Sequence, residues 1–303
     1  MNPLVSVIIP SFGGNASLER ALDSVLDQEY EPFEVIVVDD NEPDSEGRKS
    51  TESMMAKYKE SEQVLYIKHE RNKNGAAARN TGVKAAKGKY VTFLDDDDRF
   101  LPHKLEKQAD YLELHPEFGA VYCWRIQNGE IVSGEFTGNL SEQILDMSFA
   151  PSTPAIMIRT SFFRELNGFD ESFQRHQDYE FLLRFFKQYS IGVVREPLVE
   201  IIGNSVDNTL TGERAIALKK QFLGTFEATI DELDRESKGF KKRVWAVHYS
   251  ALAITLTVKG QFRLLVQSYV QEGYKGGVFF WKNYLGRLWR LFKYQFTKRA
   301  LLH

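Results

Sequence analysis

Four consecutive aspartates, Asp95–Asp98, follow directly on the apolar run Tyr90–Leu94. Adjacent carboxylates repel one another unless a cation screens them. A short carboxylate cluster with open positions suits Mg2+ or Mn2+ held by one or two acids together with substrate phosphates. A metal so placed would neutralise charge on a leaving diphosphate. A solvated acidic loop is the other reading of such a run. Against it, the acids sit flush on an apolar segment, and Pro102 then restarts the chain as a helix. An EF-hand is excluded. Asp95, Asp97 and Glu106 would fill the first, third and twelfth loop positions, but Arg99 and Phe100 stand where an acid or amide and a glycine are needed. The chain has no G-x-x-x-x-G-K-[ST], and Gly13-Gly14 does not complete G-x-G-x-x-G.

The elements that position these acids are legible as short apolar strands alternating with helices. Leu4–Ile9, Phe33–Val38, Val64–Lys68 and Tyr90–Leu94 read as buried strands. Helices are expected over Ala16–Gln28 (Asn15 as cap), Ser50–Lys59 and Gly75–Lys87. This alternation indicates an α/β fold with a parallel sheet, which binds ligands at the carboxyl ends of its strands. Two of the four strands run into acids there, Asp39-Asp40 and Asp95–Asp98. Farther on, the pattern predicts a helix from Pro102 to Leu114, strands at 118–124, 130–136 and 154–159, and a helix over Asp178–Gln188. Two short strands near 191–195 and 198–202 follow, then helix from about 211 onward.

Charge is unevenly distributed over the 303 residues. The net charge of −3 combines 39 basic and 42 acidic side chains. Twelve of the bases but only one acid, Glu272, lie in Lys241–His303, so that stretch carries +11 and residues 1–240 carry −14. A hydrophobic fraction of 43% supports a sizeable core. The single cysteine, Cys123, excludes an intramolecular disulfide and a cysteine-based metal site. Leu4–Ile9 is too short for a signal sequence, and no apolar run is long enough to span a membrane. The expected location is therefore cytoplasmic.

VSVIIPSF, EVIVVDDNEPDS, NKNGAAARNTGVKAAKGKYVTFLDDDD, GFDE and HQDYEFLLRF occur in this order over roughly residues 3–205. In order and spacing they resemble family-two glycosyltransferases of the GT-A fold, of the bacterial surface-polysaccharide type. The resemblance implies a mostly parallel central sheet flanked by helices. The catalytic domain would span 1–210, with a nucleotide-binding half to about 100 and an acceptor half beyond it. A helical region, 211–303, would follow. It implies inverting, metal-dependent transfer from a nucleotide-sugar, usually a UDP-sugar, with Mn2+ or Mg2+ as cofactor. By position, Pro10, Ser11 and Phe12 line the nucleotide pocket, with Phe12 stacked on the base. Asp40 hydrogen-bonds the base and Asp39 supports it. Asn74, Gly75 and Arg79 surround the nucleotide and the aspartates. Asp95 and Asp97 form the D-x-D element, Asp97 as metal ligand and Asp95 or Asp96 at the ribose.

The resemblance also puts the general base at Asp178, with Glu180 second. Inversion needs in-line attack, so the base must lie opposite the leaving diphosphate and take the acceptor's proton. A helix cap is the structural alternative for Asp178, as an ion pair is for Arg79 and a helix start for Gly75. The family often has Glu where this chain has Gln177, preceded by His176. A His or Arg that many relatives carry farther on is missing from EIIGNSVDNTL, leaving Asp207 and Asn208 as weak metal-ligand candidates.

At a helical period, Trp281–Thr297 gathers Trp281, Tyr284, Leu285, Leu288, Trp289, Leu291, Phe292 and Phe296 on one arc. Lys282, Arg287, Arg290 and Lys293 lie opposite. Such a helix suits the surface of an anionic membrane, with Trp281, Lys282, Leu285, Leu288, Trp289, Arg290, Phe292 and Lys293 in contact. Packing on the catalytic domain is the other reading. Nucleic acid is not an expected partner, since the catalytic region is acidic. The expected acceptor is a lipid-linked or membrane-proximal glycan, at the inner face of the membrane, with a homo-oligomer possible. A non-catalytic nucleotide-sugar-binding protein, or a soluble transferase acting on protein or a small molecule, are the competing readings.

Overall fold

The computed structural model describes residues 1–14, 16–173, 175–202 and 212–300, the side chains of 292 and 294–300 excepted. Asn15, Asp207 and Asn208 lie outside the described residues. In chain order the elements are β1 (Val5–Ser11), α1 (Leu18–Leu26), β2 (Phe33–Asp39), α2 (Glu46–Met55), β3 (Val64–Lys68), α3 (Gly75–Ala85), β4 (Tyr90–Phe93), β5 (Arg99–Phe100) and α4 (Lys104–Leu114). Then come β6 (Ala120–Gln127), β7 (Glu130–Val132), α5 (Ser141–Leu145), β8 (Ile156–Arg159), α6 (Thr160–Glu165), α7 (Gln177–Phe185) and β9 (Ile191–Ile201). The chain closes with α8 (Gly212–Thr225), α9 (Glu227–Glu236), α10 (Phe240–Val258), α11 (Phe262–Gln271) and α12 (Gly277–Ala300).

Two units result: Met1–Ser141 with Pro151–Asn204, and Glu142–Ala150 with Ser205–His303. The first holds one sheet in the order β3-β2-β1-β4-β8-β6-β9-β5, with β7 paired to β6. β3, β2, β1 and β4 are parallel, and β9 is parallel to β6, while β8 runs against both β4 and β6. The expected α/β architecture is thus present.

β1 runs two residues past the expected end. Pro10 and Ser11 pair with Val38 and Asp39 of β2, whereas β4 pairs with β1 only as far as Ile8. The proline therefore sits beyond the last β4 pair, where its missing N–H costs the ladder little. The two short strands expected near 191–195 and 198–202 are one strand, β9. Residues 195–196 bulge between the Cys123–Val194 and Trp124–Pro197 pairs, so pairing resumes at the proline.

The sheet order reverses at β1: β2 and β3 lie on one side and β4 on the other. The parallel carboxyl ends of β1, β2 and β4 share one edge, the usual ligand position in an open α/β sheet. α3 packs closely on the middle of β1, because a Cβ on Gly82 would lie 2.3 Å from Cγ2 of Ile8.

The second unit is helical. Residues 142–150 belong to it, and the buried His248 of α10 contacts the Leu145 carbonyl at 2.8 Å through Nε2. In α12 the apolar arc is divided. Phe280 is buried, Tyr284 and Leu288 are half-buried, and Tyr284 Oη lies 2.8 Å from Thr257 Oγ1 of α10. Trp281, Lys282, Leu285, Trp289, Arg290 and Lys293 are exposed. Leu288, one turn beyond Tyr284, is less exposed than Trp281, Leu285 and Trp289 of the expected contact set. The side chain of Phe292 lies outside the described residues.

Candidate active site

The two acidic strand ends have opposite surroundings. Asp39 is 0% exposed and pairs with the Arg48 guanidinium at 3.1 Å. Its carboxylate also accepts from Tyr66 Oη and from the Asn41 amide and side chain, at 2.9 and 2.8 Å. Asp40 is 3% exposed. One oxygen lies 2.7 Å from His69 Nδ1 and accepts from Lys73 N at 2.9 Å. The other accepts from Asn72 Nδ2 and Asn74 N at 3.0 and 2.9 Å. A carboxylate offers about four acceptor positions, and those of Asp40 are filled by the protein. The base contact that the resemblance implies for Asp40 would have to displace one of these donors. Both acids fold the loops that border the site. Asn41, held by Asp39, accepts from Gly13 N at 2.7 Å, and Asp40 gathers residues 69–74.

The β1 end supplies Pro10, half-buried; Ser11, buried; and Phe12, which is 62% exposed. The Phe12 amide donates to Asp96 at 3.2 Å. Asp95–Asp98 form a turn closed by Asp98 N on the Asp95 carbonyl at 3.1 Å. Asp98 is buried and accepts from Ile202 N at 2.8 Å, so it anchors the turn. Burial pushes the Asp96 carboxyl up to about 6, against the Phe12 amide and Ser11 hydroxyl, which hold it down. Burial and the Asp95 charge raise Asp97. Carboxylates raised by burial and mutual repulsion are a donor set that a hard divalent cation fits. Among the described residues, no group of three or more His, Cys, Asp or Glu is arranged to hold a metal ion by itself.

The block around Asn74–Asn80 joins this turn to the rest of the site. Asn74 caps α3, accepting from Ala77 N at 3.1 Å, and adopts φ 115°; its Nδ2 donates to the Glu171 carbonyl at 2.9 Å. Gly75 is the first residue of α3. Arg79 pairs with Asp95 and donates to Gln177 Oε1 at 3.3 Å, so it bridges the aspartate turn and the start of α7. Asn80 exchanges two 2.9 Å hydrogen bonds with the Phe169 backbone. The neighbouring turn needs Gly168, which has φ +68° and whose Cβ would lie 2.4 Å from Asn80 Oδ1. Phe93 of β4 and Phe181 of α7 both pack on Phe163 and Phe169, with ring centroids 4.9–5.6 Å apart. One aromatic cluster thus carries the aspartate strand and α7 together.

Asp178 is the second residue of α7. His176, at φ 61°, is the N-cap and makes no capping bond through its side chain, so Asp178 is not the cap. Its half-buried carboxylate accepts from Tyr179 N at 3.0 Å. Burial pushes it up to about 6; Arg79 favours its charge and Asp95 opposes it. Glu180, ranked second as base, is buried and paired with Arg184, which also donates to the Gly168 carbonyl at 2.7 Å. It is a structural acid.

Sequence reasoning missed Arg125, His69 and Asn80. Arg125 of β6 is half-buried; burial lowers its pKa, and the Asp178 carboxylate opposes that shift. His69 directly follows β3, so the strand-end rule that singled out the aspartates would have found it. Arg125 carries no such signal.

A family model described as glycosyl transferase family 2 matches residues 6–183. The chain is 29% identical over 269 residues to an uncharacterized glycosyltransferase of Methanocaldococcus jannaschii, covering 84% of this chain and 89% of that one. It is 38% identical over 111 residues to the putative teichuronic acid biosynthesis glycosyltransferase TuaG of Bacillus subtilis, covering 36% and 42%. Its fold is similar to S. aureus TarS 1–349 in complex with UDP-GlcNAc, with a TM-score of 0.60 over 90% of both chains and 18% identity. The family match covers more than half of the chain and agrees with the strand-end acids and the block that joins them: the chain belongs to glycosyl transferase family 2 and is a glycosyltransferase.

Proposed function

We propose that the chain transfers a sugar from a UDP-sugar to an acceptor hydroxyl with inversion, Asp178 acting as general base. The observation that carries this is the half-buried Asp178 carboxyl, raised to about 6 and joined to the aspartate turn through Gln177, Arg79 and Asp95. A base with this affinity is ionised at neutral pH and still accepts a proton as the new bond forms. As the acceptor oxygen attacks the anomeric carbon, its proton passes to Asp178. The bond from that carbon to the diphosphate breaks, and UDP leaves. The exposed Phe12 ring offers a stacking face for the base. Asp97 would hold Mn2+ or Mg2+, with Asp95 or Asp96 at the ribose. When bound, the ion supplies positive charge against the leaving diphosphate.

UDP as the nucleotide is supported by TarS, solved in complex with UDP and with UDP-GlcNAc. A surface polysaccharide as product is supported by the name of TuaG. The exposed tryptophans and basic residues of α12 favour a lipid-linked or membrane-proximal glycan as acceptor, with the protein peripheral on the inner face of the membrane. Among the described residues no helix is long and apolar enough to cross a membrane. A screen of nucleotide-sugars with Mn2+, read by donor hydrolysis and thermal shift, tests the reading. A response to UDP-sugars that Asp178→Asn loses in turnover but keeps in binding is expected; turnover unchanged in that variant would remove Asp178 as the base.

A further inference from the structure

The helical unit segregates its charge. α9 is acidic, and its Glu227 and Asp231 hold Lys241 of α10 at 3.0 and 2.7 Å. α11 and α12 contain no acid, and Glu272 between them is paired with Lys275 at 2.8 Å. On α11, Phe262, Val266 and Val270 recur every four residues and are exposed, Val270 at 65%. On α12, Trp281, Leu285 and Trp289 do the same, Trp289 at 73%. The two stripes lie on adjoining helices: Trp281 Nε1 donates to Tyr269 Oη of α11 at 3.1 Å, and their rings are 5.1 Å apart. Arg263 and Lys282 each follow directly on an exposed apolar residue of these stripes. Exposed apolar stripes of this kind on adjoining helices mark an interaction face.

We propose that α11 and α12 together form one face that lies in the interface of an anionic lipid bilayer. This deepens the membrane-proximal reading above and rests on it. Charge complementarity selects the occupant. A second copy would bring one cationic stretch against another, whereas an anionic leaflet attracts basic residues. Tryptophan is favoured at the lipid–water boundary, and apolar stripes beside basic side chains are the pattern of helices that lie in that plane.

Cys123 is buried and is the only native thiol, so an introduced cysteine on the surface can be labelled selectively. The full chain carrying Val266→Cys with an environment-sensitive fluorophore is mixed with phosphatidylcholine vesicles, with and without phosphatidylglycerol. Several-fold brightening with anionic vesicles alone is expected, and none for Glu236→Cys on the exposed surface of α9. The double variant Val266→Ser/Val270→Ser should float with anionic vesicles at least tenfold less while unfolding at the wild-type temperature, since both sites are exposed. A label at 266 that stays in water while the protein floats would restrict the face to α12. Absence of flotation overturns the proposal. Brightening without vesicles, in a protein that sediments as a dimer, would assign the face to a second copy. Donor hydrolysis without vesicles is followed in parallel, so loss of membrane binding and failure of the reaction reading are told apart.

Discussion

Asp39-Asp40 and Asp95–Asp97 look alike in the sequence: each is a run of acids at the end of an apolar strand, on the same sheet edge. In the structure they have become opposites. The first pair is buried and filled with protein donors, five of them from loops that border the site. The second run is half-buried, and two of its carboxyls, like that of Asp178, are raised by burial. Acids that build a site are compensated by the protein. The acids proposed to serve a ligand are left under-compensated, which costs stability while the site is empty.

The largest effect is expected where this contrast is strongest. Asp178→Asn should reduce turnover by about 10²–10⁴-fold, the usual contribution of a general base. In wild type the acid limb of kcat/KM should fall tenfold per pH unit below about pH 6, as Asp178 takes up its proton. The stability sign is reversed from that of a paired carboxylate. The folded value lies above the ordinary one, so the native state holds the extra proton. The destabilisation from Asp178 is full above about pH 6 and disappears as pH falls toward 4. Asp178→Asn should therefore raise Tm at pH 8 while removing activity; a lowered Tm would make it a structural acid.

The buried pair should respond the other way. Asp39→Asn leaves the Arg48 charge buried without its partner, at a cost of about 3–5 kcal/mol. Asp40→Asn breaks a set of four acceptor contacts and should cost about 1–3 kcal/mol. Both are read by denaturant unfolding, and both should weaken UDP binding only in proportion to the loss of folded protein or loop order. An effect of similar size, but confined to binding, is expected at Phe12. Phe12→Ala should weaken UDP by about 1–3 kcal/mol, the usual contribution of base–aromatic stacking, with Tm unchanged because the ring is exposed. Isothermal titration separates the two.

How far the site was legible follows from the same contrast. β2, β3 and β4 are short apolar runs, and the sequence places them within two residues. The helix beginning at Gly75 and the acids at strand ends were equally open to reading, since they depend on local pattern. The partners of those acids were not. His69, Asn72 and the backbone of 73–74 reach Asp40 from about 30 residues away, and no local signal separates a filled carboxylate from an open one. The division of α12 was hidden for a related reason. A helical period gathers Tyr284, Leu288 and Trp289 on one arc, but only packing on α10 decides which part of it stays exposed. Asn80 holding Phe169 explains why an Ala-Arg-Asn run matters, through contacts nearly 90 residues distant that periodicity does not encode.

The contrast between the two strand ends is tested most directly by thermal unfolding of Asp97→Asn and Asp40→Asn, each with and without UDP and Mn2+. Asp97→Asn should melt at or above the wild-type temperature in buffer and lose the rise that UDP with Mn2+ produces, while Asp40→Asn should melt several degrees lower and keep that rise. An Asp97→Asn protein that retains the full ligand-induced rise, or an Asp40→Asn protein that melts like wild type and no longer responds to UDP, would contradict the account.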